Sequence, residues 1–235
     1  MKSWIKSSLL YLLLVCTPVF AAPAAKLNRL TWLEKRAGWQ LLFDGKTAEH
    51  FRGYKKDTLP EGWVVKDGAL VREKGGGDVI TREQFESFEL SIDWKISPGG
   101  NSGIMFKVLE TDGPSYSTGP EAQVQDNVGG HDPQKAGWMY ALYPASVDTT
   151  KPVGEWNRFV LKCRKTTAGT FKCEHHMNGT KYVEYEIGSA DWNAKVAKSK
   201  FGTMPGFAKA LKGHICLQDH GNVVAFRNIK IRKLK

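Results

Sequence analysis

The sequence predicts an all-β fold, an antiparallel two-sheet sandwich or jelly roll, and three observations carry that prediction. Short apolar-polar alternations recur along the chain, glycine and polar turns separate them, and no sustained helical period or strand-helix-strand pattern competes. Phe88 to Ile96 is the clearest run: aromatic or aliphatic residues alternate with polar ones, as a half-buried strand requires.

The elements follow in chain order. A short helix is expected over Leu30 to Ala37, then strands over Gln40 to Phe43 and Trp63 to Val65. Asp67-Gly68 tolerates the positive φ of a tight turn, so the latter strand and Ala69 to Arg72 read as a hairpin. After Phe88 to Ile96, further strands are expected at Ser102 to Leu109, Glu121 to Gln125, Arg158 to Arg164, Thr170 to His176, Lys181 to Ile187, Gly213 to Gln218 and Val223 to Ile231. The stretch Gln125 to Glu155 is too long for a simple connection, and its Trp138, Tyr140 and Tyr143 favour an ordered binding loop whose rings suit the C–H faces of a pyranose. Cys163 and Cys173 lie equidistant from Ala168 in a hairpin and face each other, either as a disulfide or as two buried thiols. Cys216, in an apolar strand, reads as an inert core residue.

The first residues set the compartment. Lys2 and Lys6 precede the apolar run Leu9 to Val15, and Ala21 follows Val19 in a small-x-Ala pattern, so residues 1–22 read as a signal peptide. The run is shorter than the roughly 20 apolar residues of a membrane span. Val15 stands where a lipoprotein signal around Cys16 wants a small residue, so cleavage after Ala21 or Ala22 is expected. An exported protein, periplasmic or secreted, is the expectation. Residues 23–37 read as an N-terminal extension and 38–235 as a single sandwich domain. The formal charge of +10 falls by two without Lys2 and Lys6. The remaining basic residues are scattered, with no basic block or recognition helix, which argues against a nucleic-acid partner.

Four segments resemble the 3-keto-disaccharide hydrolase family. They are Gly38-Trp39-Gln40-Leu41-Leu42-Phe43-Asp44-Gly45; Gly99-Gly100-Asn101-Ser102-Gly103-Ile104; Thr118-Gly119-Pro120-Glu121-Ala122-Gln123-Val124-Gln125-Asp126-Asn127; and Leu217-Gln218-Asp219-His220-Gly221 running into Phe226-Arg227-Asn228-Ile229. Gly154-Glu155-Trp156-Asn157 and Met177-Asn178-Gly179 also fit. The resemblance implies a concanavalin-like or laminarinase-like jelly-roll β-sandwich and cleavage of an oligosaccharide or glycoside already oxidised to a ketone at C3. The ketone acidifies the C2 proton, so a base forms an enolate that expels the C1 leaving group. Such a site needs a base, a cation or donor for the enolate oxygen, and an acid for the leaving oxygen.

Within that frame Glu121, Asp126, His131 and His220 are the candidate catalytic residues, and Asn101, Lys107, Gln123, Asn127, Trp138 and Tyr140 the candidate substrate-binding ones. Period two places Glu121, Gln123 and Gln125 on one face, and a bulge would have to bring Asp126 round to join them. Gln123 stands where the laminarinase pattern has an acid, which weakens an ordinary retaining mechanism. Alternation puts Gly103, Met105 and Lys107 on one face, so Lys107 is expected over the same sheet as Glu121; the family often carries Arg at that position. His175 and His176 point to opposite faces, and His214 reads as structural. No cofactor is certain, although Glu121, Asp126, His131 and His220 could converge on a divalent metal. A carbohydrate-binding module without chemistry, a laminarinase-like retaining glycosidase and a wider scaffold role stand as alternatives.

Overall fold

The computed structural model describes residues 27–234, so the expected signal peptide lies outside the described residues. The described residues form thirteen strands and two α-helices. In order they are α1 (Trp32–Arg36), β1 (Trp39–Leu41), β2 (Phe51–Gly53), β3 (Trp63–Lys66), β4 (Ala69–Arg72), β5 (Val79–Thr81), β6 (Phe88–Ile96), β7 (Asn101–Val108) and β8 (Glu121–Gln125). Then come β9 (Asn157–Lys165), β10 (Phe171–Met177), β11 (Thr180–Ile187), α2 (Ala190–Lys198), β12 (His214–Leu217) and β13 (Val224–Lys233).

All strand pairs are antiparallel, in two sheets. The larger sheet runs β11-β10-β9-β6-β13-β4-β3, with β1 added beside β13; the smaller runs β2-β5-β12-β7-β8. Alternate residues of each strand meet between the sheets: Phe88, Leu90, Ile92 and Trp94 from β6, Phe159 and Leu161 from β9, Ile104 and Phe106 from β7, all at most 1% exposed. This two-sheet architecture is the jelly-roll β-sandwich that the sequence predicts. Among the described residues no helix is long and apolar enough to cross a membrane.

Two irregularities position the site. In β7 the pairing with β12 shifts between Met105–Cys216 and Val108–His214, leaving one extra residue in β7. Lys107 takes φ 55° there, the signature of a bulge. In β13 a second shift, between Arg227 and Lys230, contains Asn228 at φ 52°. It divides the strand into a part beside β4 and a part beside β1.

Cys163 and Cys173 are direct cross-strand partners with a Cα–Cα distance of 4.2 Å and are joined as a disulfide. That spacing belongs to the non-hydrogen-bonded type of antiparallel pair, in which side chains approach most closely. Cys216 is buried beside Ile80, Met105 and Val108.

Candidate active site

The outer face of the smaller sheet carries a polar cleft of about 230 Å³. Its floor is β8: Glu121 and Gln123 project from alternate positions, with Asn101 across on β7 and Gln218 just after β12. Four connections form the walls. The short 3-10 turn Ser115–Ser117 brings Tyr116, the loop after β8 brings Asp132 and Tyr140, the 3-10 turn Lys200–Thr203 brings Lys200, and the turn after β12 brings His220.

Glu121 is the chemical centre. Its carboxyl is deeply buried, and that burial pushes its pKa up to about 8; the charges of Asp78 and Asp132 add to the rise and Lys200 opposes it. Gly103 makes room for it: a Cβ at that position would overlap the Glu121 carboxyl group. Around it lie amides with unused capacity. Asn101 Oδ1, Gln123 Oε1 and Nε2, and Gln218 Oε1 are buried and have no hydrogen-bond partner among the described residues. Buried polar groups of this kind are costly unless something pairs with them, so four in one cleft mark a surface shaped for a polar ligand.

The walls are fixed by hydrogen bonds. The Tyr140 hydroxyl donates to Asp132 Oδ2 at 2.8 Å, and burial together with that carboxylate raises its pKa. Lys200 Nζ lies 4.3 Å from the Tyr140 ring centroid, held by the ring's negative face and near enough to lower the Glu121 pKa. His220 sits in a turn clasped from both sides. Asp219 accepts from the N–H groups of Gly76, Gly77 and Gly221 and pairs with Arg72 at 2.7 Å, while its own N–H donates to Asp78 Oδ1 at 2.8 Å. The other Asp78 oxygen accepts from the Ser115 hydroxyl, so one carboxyl braces the elements that carry Tyr116 and His220.

Of the residues expected from sequence, the cleft gathers Glu121, Gln123, Asn101, Tyr140 and His220. Lys107 is the main correction. The bulge turns it from the cleft face into the space between the sheets, where Nζ donates to the carbonyls of Glu86 and Leu211 and lies over the Phe171 ring. Burial lowers its pKa to about 7. Asp126 is not brought round either. Burial alone would raise this carboxyl, but the N–H groups of Gly99, Gly129 and Val128 hold it below its ordinary value as the cap of a turn.

The remaining expectations divide in the same way. Asn127 knots the loop, donating to Asp148 and Thr150 and accepting from the Ala136 N–H. His131 is exposed, and the loop delivers its neighbour Asp132 in its place. The Trp138 contribution is its carbonyl, which accepts from the Gln123 N–H at 3.1 Å. Asp126 and His131 therefore do not converge with Glu121 and His220 on one ion, and among the described residues no group of three or more His, Cys, Asp and Glu is placed to hold a metal.

Sequence reasoning missed Tyr116, Asp132, Lys200 and Gln218. Gln218 stood inside a quoted motif and Asp132 beside a chosen histidine. Nothing local marked Lys200, which follows a helix whose start, Ser189 capping the Trp192 N–H, went unread. A larger cavity, about 610 Å³, opens near Trp94 and the Asp126–Val128 turn. Asp126 and Asp148 in its wall spend their oxygens on loop hydrogen bonds, so the chemistry points to the smaller cleft.

An antiparallel sandwich with a buried carboxyl, a lysine and unpaired amides on its open sheet is a protein of the glycosyl hydrolase-like jelly-roll class. The chain belongs to the family of 3-keto-alpha-glucoside-1,2-lyase-like domains, whose sequence profile matches residues 38–232. It is 32% identical over 247 aligned positions to a 3-keto-disaccharide hydrolase of Bacteroides thetaiotaomicron, covering 90% of this chain and 83% of the relative. A candidate glycosyl hydrolase of Parabacteroides distasonis superposes with a TM-score of 0.82 at 32% identity, covering 89% of this chain and all of that one. A second from the same organism gives 0.63 at 30% identity, covering 83% and 99%.

Proposed function

We propose that this protein is an exported enzyme that cleaves 3-keto-glycosides by elimination through a C2 enolate, with water adding afterwards to complete hydrolysis. The observation that carries the reading is Glu121: a carboxyl poised near pH 8, beside a lysine and a free amide donor, matches the base and enolate-stabiliser pair that the chemistry needs. At pH 7 about one tenth of it is ionised, and that fraction is a far stronger base than an ordinary carboxylate.

The steps follow from the placement. The Glu121 carboxylate takes the C2 proton, and the C–H electron pair moves into the C2–C3 bond as the ketone becomes an enolate. Lys200 Nζ and Gln123 Nε2 stabilise the oxygen. The enolate re-forms the ketone as a C1=C2 double bond forms and the C1–O bond breaks, and His220, at the rim, supplies the proton that the departing oxygen takes up. Water then adds at C1, giving one proton back to His220, and Glu121 returns its proton to C2 as the double bond is saturated.

Asp132 supports one rival, a retaining glycosidase, because it places a second carboxyl in the cleft. Such a pair must stand about 5–5.5 Å apart and needs no ketone. Incubation of a slow 3-keto-glycoside in deuterated water separates the two. Elimination predicts deuterium at C2 of the recovered substrate or product, with exchange lost in Glu121→Gln. Cleavage without any C2 exchange supports the rival. Export is tested by the N-terminal sequence of the protein recovered from outside the cytoplasm, with Ala22 or Pro23 expected first.

A further inference from the structure

The cleft is smaller than a whole glycoside. At about 230 Å³ it falls below the roughly 300–1,000 Å³ of sites that enclose a drug-sized ligand, so it takes one ring and leaves the rest of the substrate at its mouth. Of the nine residues that line it, Tyr116, Lys200 and His220 are exposed, and these three form the mouth. The amides lie deeper: Asn101 and Gln218 are half-buried and Gln123 is buried. Tyr116 is 41% exposed, and its backbone is fixed. The Ser117 N–H donates to the Pro114 carbonyl at 3.0 Å and the Gly119 N–H to the Ser115 carbonyl at 3.1 Å. Ser115 and Asp219, the residues before Tyr116 and His220, donate to the two oxygens of the single Asp78 carboxyl, so Tyr116 and His220 occupy neighbouring turns. Lys200 Nζ lies 4.3 Å from the Tyr140 ring centroid but 5.9 Å from that of Tyr116, at the limit of a cation–π contact, which leaves the Tyr116 face to a ligand.

We infer that the mouth is a subsite for an aromatic leaving group, with Tyr116 as its specificity-determining residue. This deepens the proposed keto-glycoside reading and rests on it, since His220 is the group that there protonates the departing oxygen. A phenolic ring leaving past His220 meets the open face of Tyr116 and stacks on it with an offset. An acyclic alkyl leaving group of the same acidity gains nothing from that face. A second sugar ring could lay C–H groups on Tyr116, but its hydroxyls find only Lys200 and His220 at the mouth, because the amides are below. An aryl ring brings no hydroxyl that needs a partner. Stacked aromatic pairs gain enough beyond their buried area to favour the aryl substrate roughly 2- to 12-fold.

The test uses the 3-keto-glucosides of 4-chlorophenol and of hexafluoroisopropanol, leaving groups matched in acidity of which only the first is aromatic. A 3-keto-disaccharide is the third substrate. Each is assayed with wild type, Tyr116→Ala and Tyr116→Phe, after circular dichroism and thermal melting have shown which variants are folded. Stacking holds substrate and transition state alike, so its loss is read in KM with kcat unchanged. Wild type should show the higher kcat/KM on the aryl ketoside. Tyr116→Ala should raise KM for that substrate roughly 2- to 12-fold while KM for the other two stays at the wild-type level, and Tyr116→Phe should behave as wild type throughout. Equal kcat/KM for the aryl and alkyl ketosides in wild type overturns the inference without any variant and leaves the proposed function standing. An unchanged aryl KM in Tyr116→Ala, or an equal rise for all three substrates, does the same. A loss in Tyr116→Phe as large as in Tyr116→Ala assigns the effect to the hydroxyl and overturns stacking. No turnover of any ketoside overturns the inference together with the reading beneath it.

Discussion

Glu121→Gln should stabilise the protein while abolishing its activity, and the stabilisation should depend on pH. In the unfolded chain the carboxyl ionises near its ordinary value of 4.5, whereas burial holds it protonated in the folded protein up to about 8. A carboxyl raised on folding contributes stability below the unfolded value and loses it as pH climbs to the folded one. Between those values each pH unit costs about 1.4 kcal/mol, so by pH 7 the wild type has lost about 3 kcal/mol that a neutral glutamine keeps. For a domain of this size that corresponds to a Tm roughly 6–12 °C higher for the variant at pH 7. At pH 4 the two proteins should melt together. Scanning calorimetry of both proteins at pH 4, 5.5 and 7 tests this, since every other titrating group cancels in the difference. A gap that does not widen with pH would refute the buried, proton-holding carboxyl.

Four further outcomes follow from the same geometry. Lys200→Met removes the cation that holds the Glu121 pKa down, so the pH at which kcat/KM rises should move higher and the plateau should fall; an unmoved pH profile places Lys200 outside the site. Lys107→Met should change the Tm but leave kcat/KM at the wild-type level, because that lysine is bonded to carbonyls between the sheets; a loss of activity in a protein of unchanged Tm contradicts its placement. Gly103→Ala puts a methyl group into the Glu121 carboxyl, and a crystal structure of the variant should show that side chain displaced, with activity reduced at least 10-fold. Replacing both Cys163 and Cys173 by alanine opens a loop with a sequence separation of 10. Chain entropy sets the cost at about 3 kcal/mol, read as a lower urea midpoint.

The fold was legible where apolar and polar residues alternate without interruption. Phe88 to Ile96 and Glu121 to Gln125 form as read, because alternation alone determines which face each residue joins. Three-residue strands such as Val79–Thr81 show no period, and α2 buries a single side chain, Trp192, so neither left a pattern to find. The site divides along the same line. Glu121 and Gln123 could be placed together by counting in twos, and the same counting misplaced Lys107, because a one-residue bulge reverses parity and no residue type announces it. Lys200 reaches the cleft through tertiary packing of a turn far from β8 in sequence, and Asp132 through the irregular path of the loop that follows β8, neither of which spacing encodes.

The central claim is that the C3 ketone is required, and one measurement bears on it most directly. Purified protein is given 4-nitrophenyl 3-keto-glucoside and, separately, the unoxidised 4-nitrophenyl glucoside, and nitrophenolate release is followed. The account predicts release from the ketoside alone, abolished in Glu121→Gln. Release from both glycosides at similar rates would contradict it.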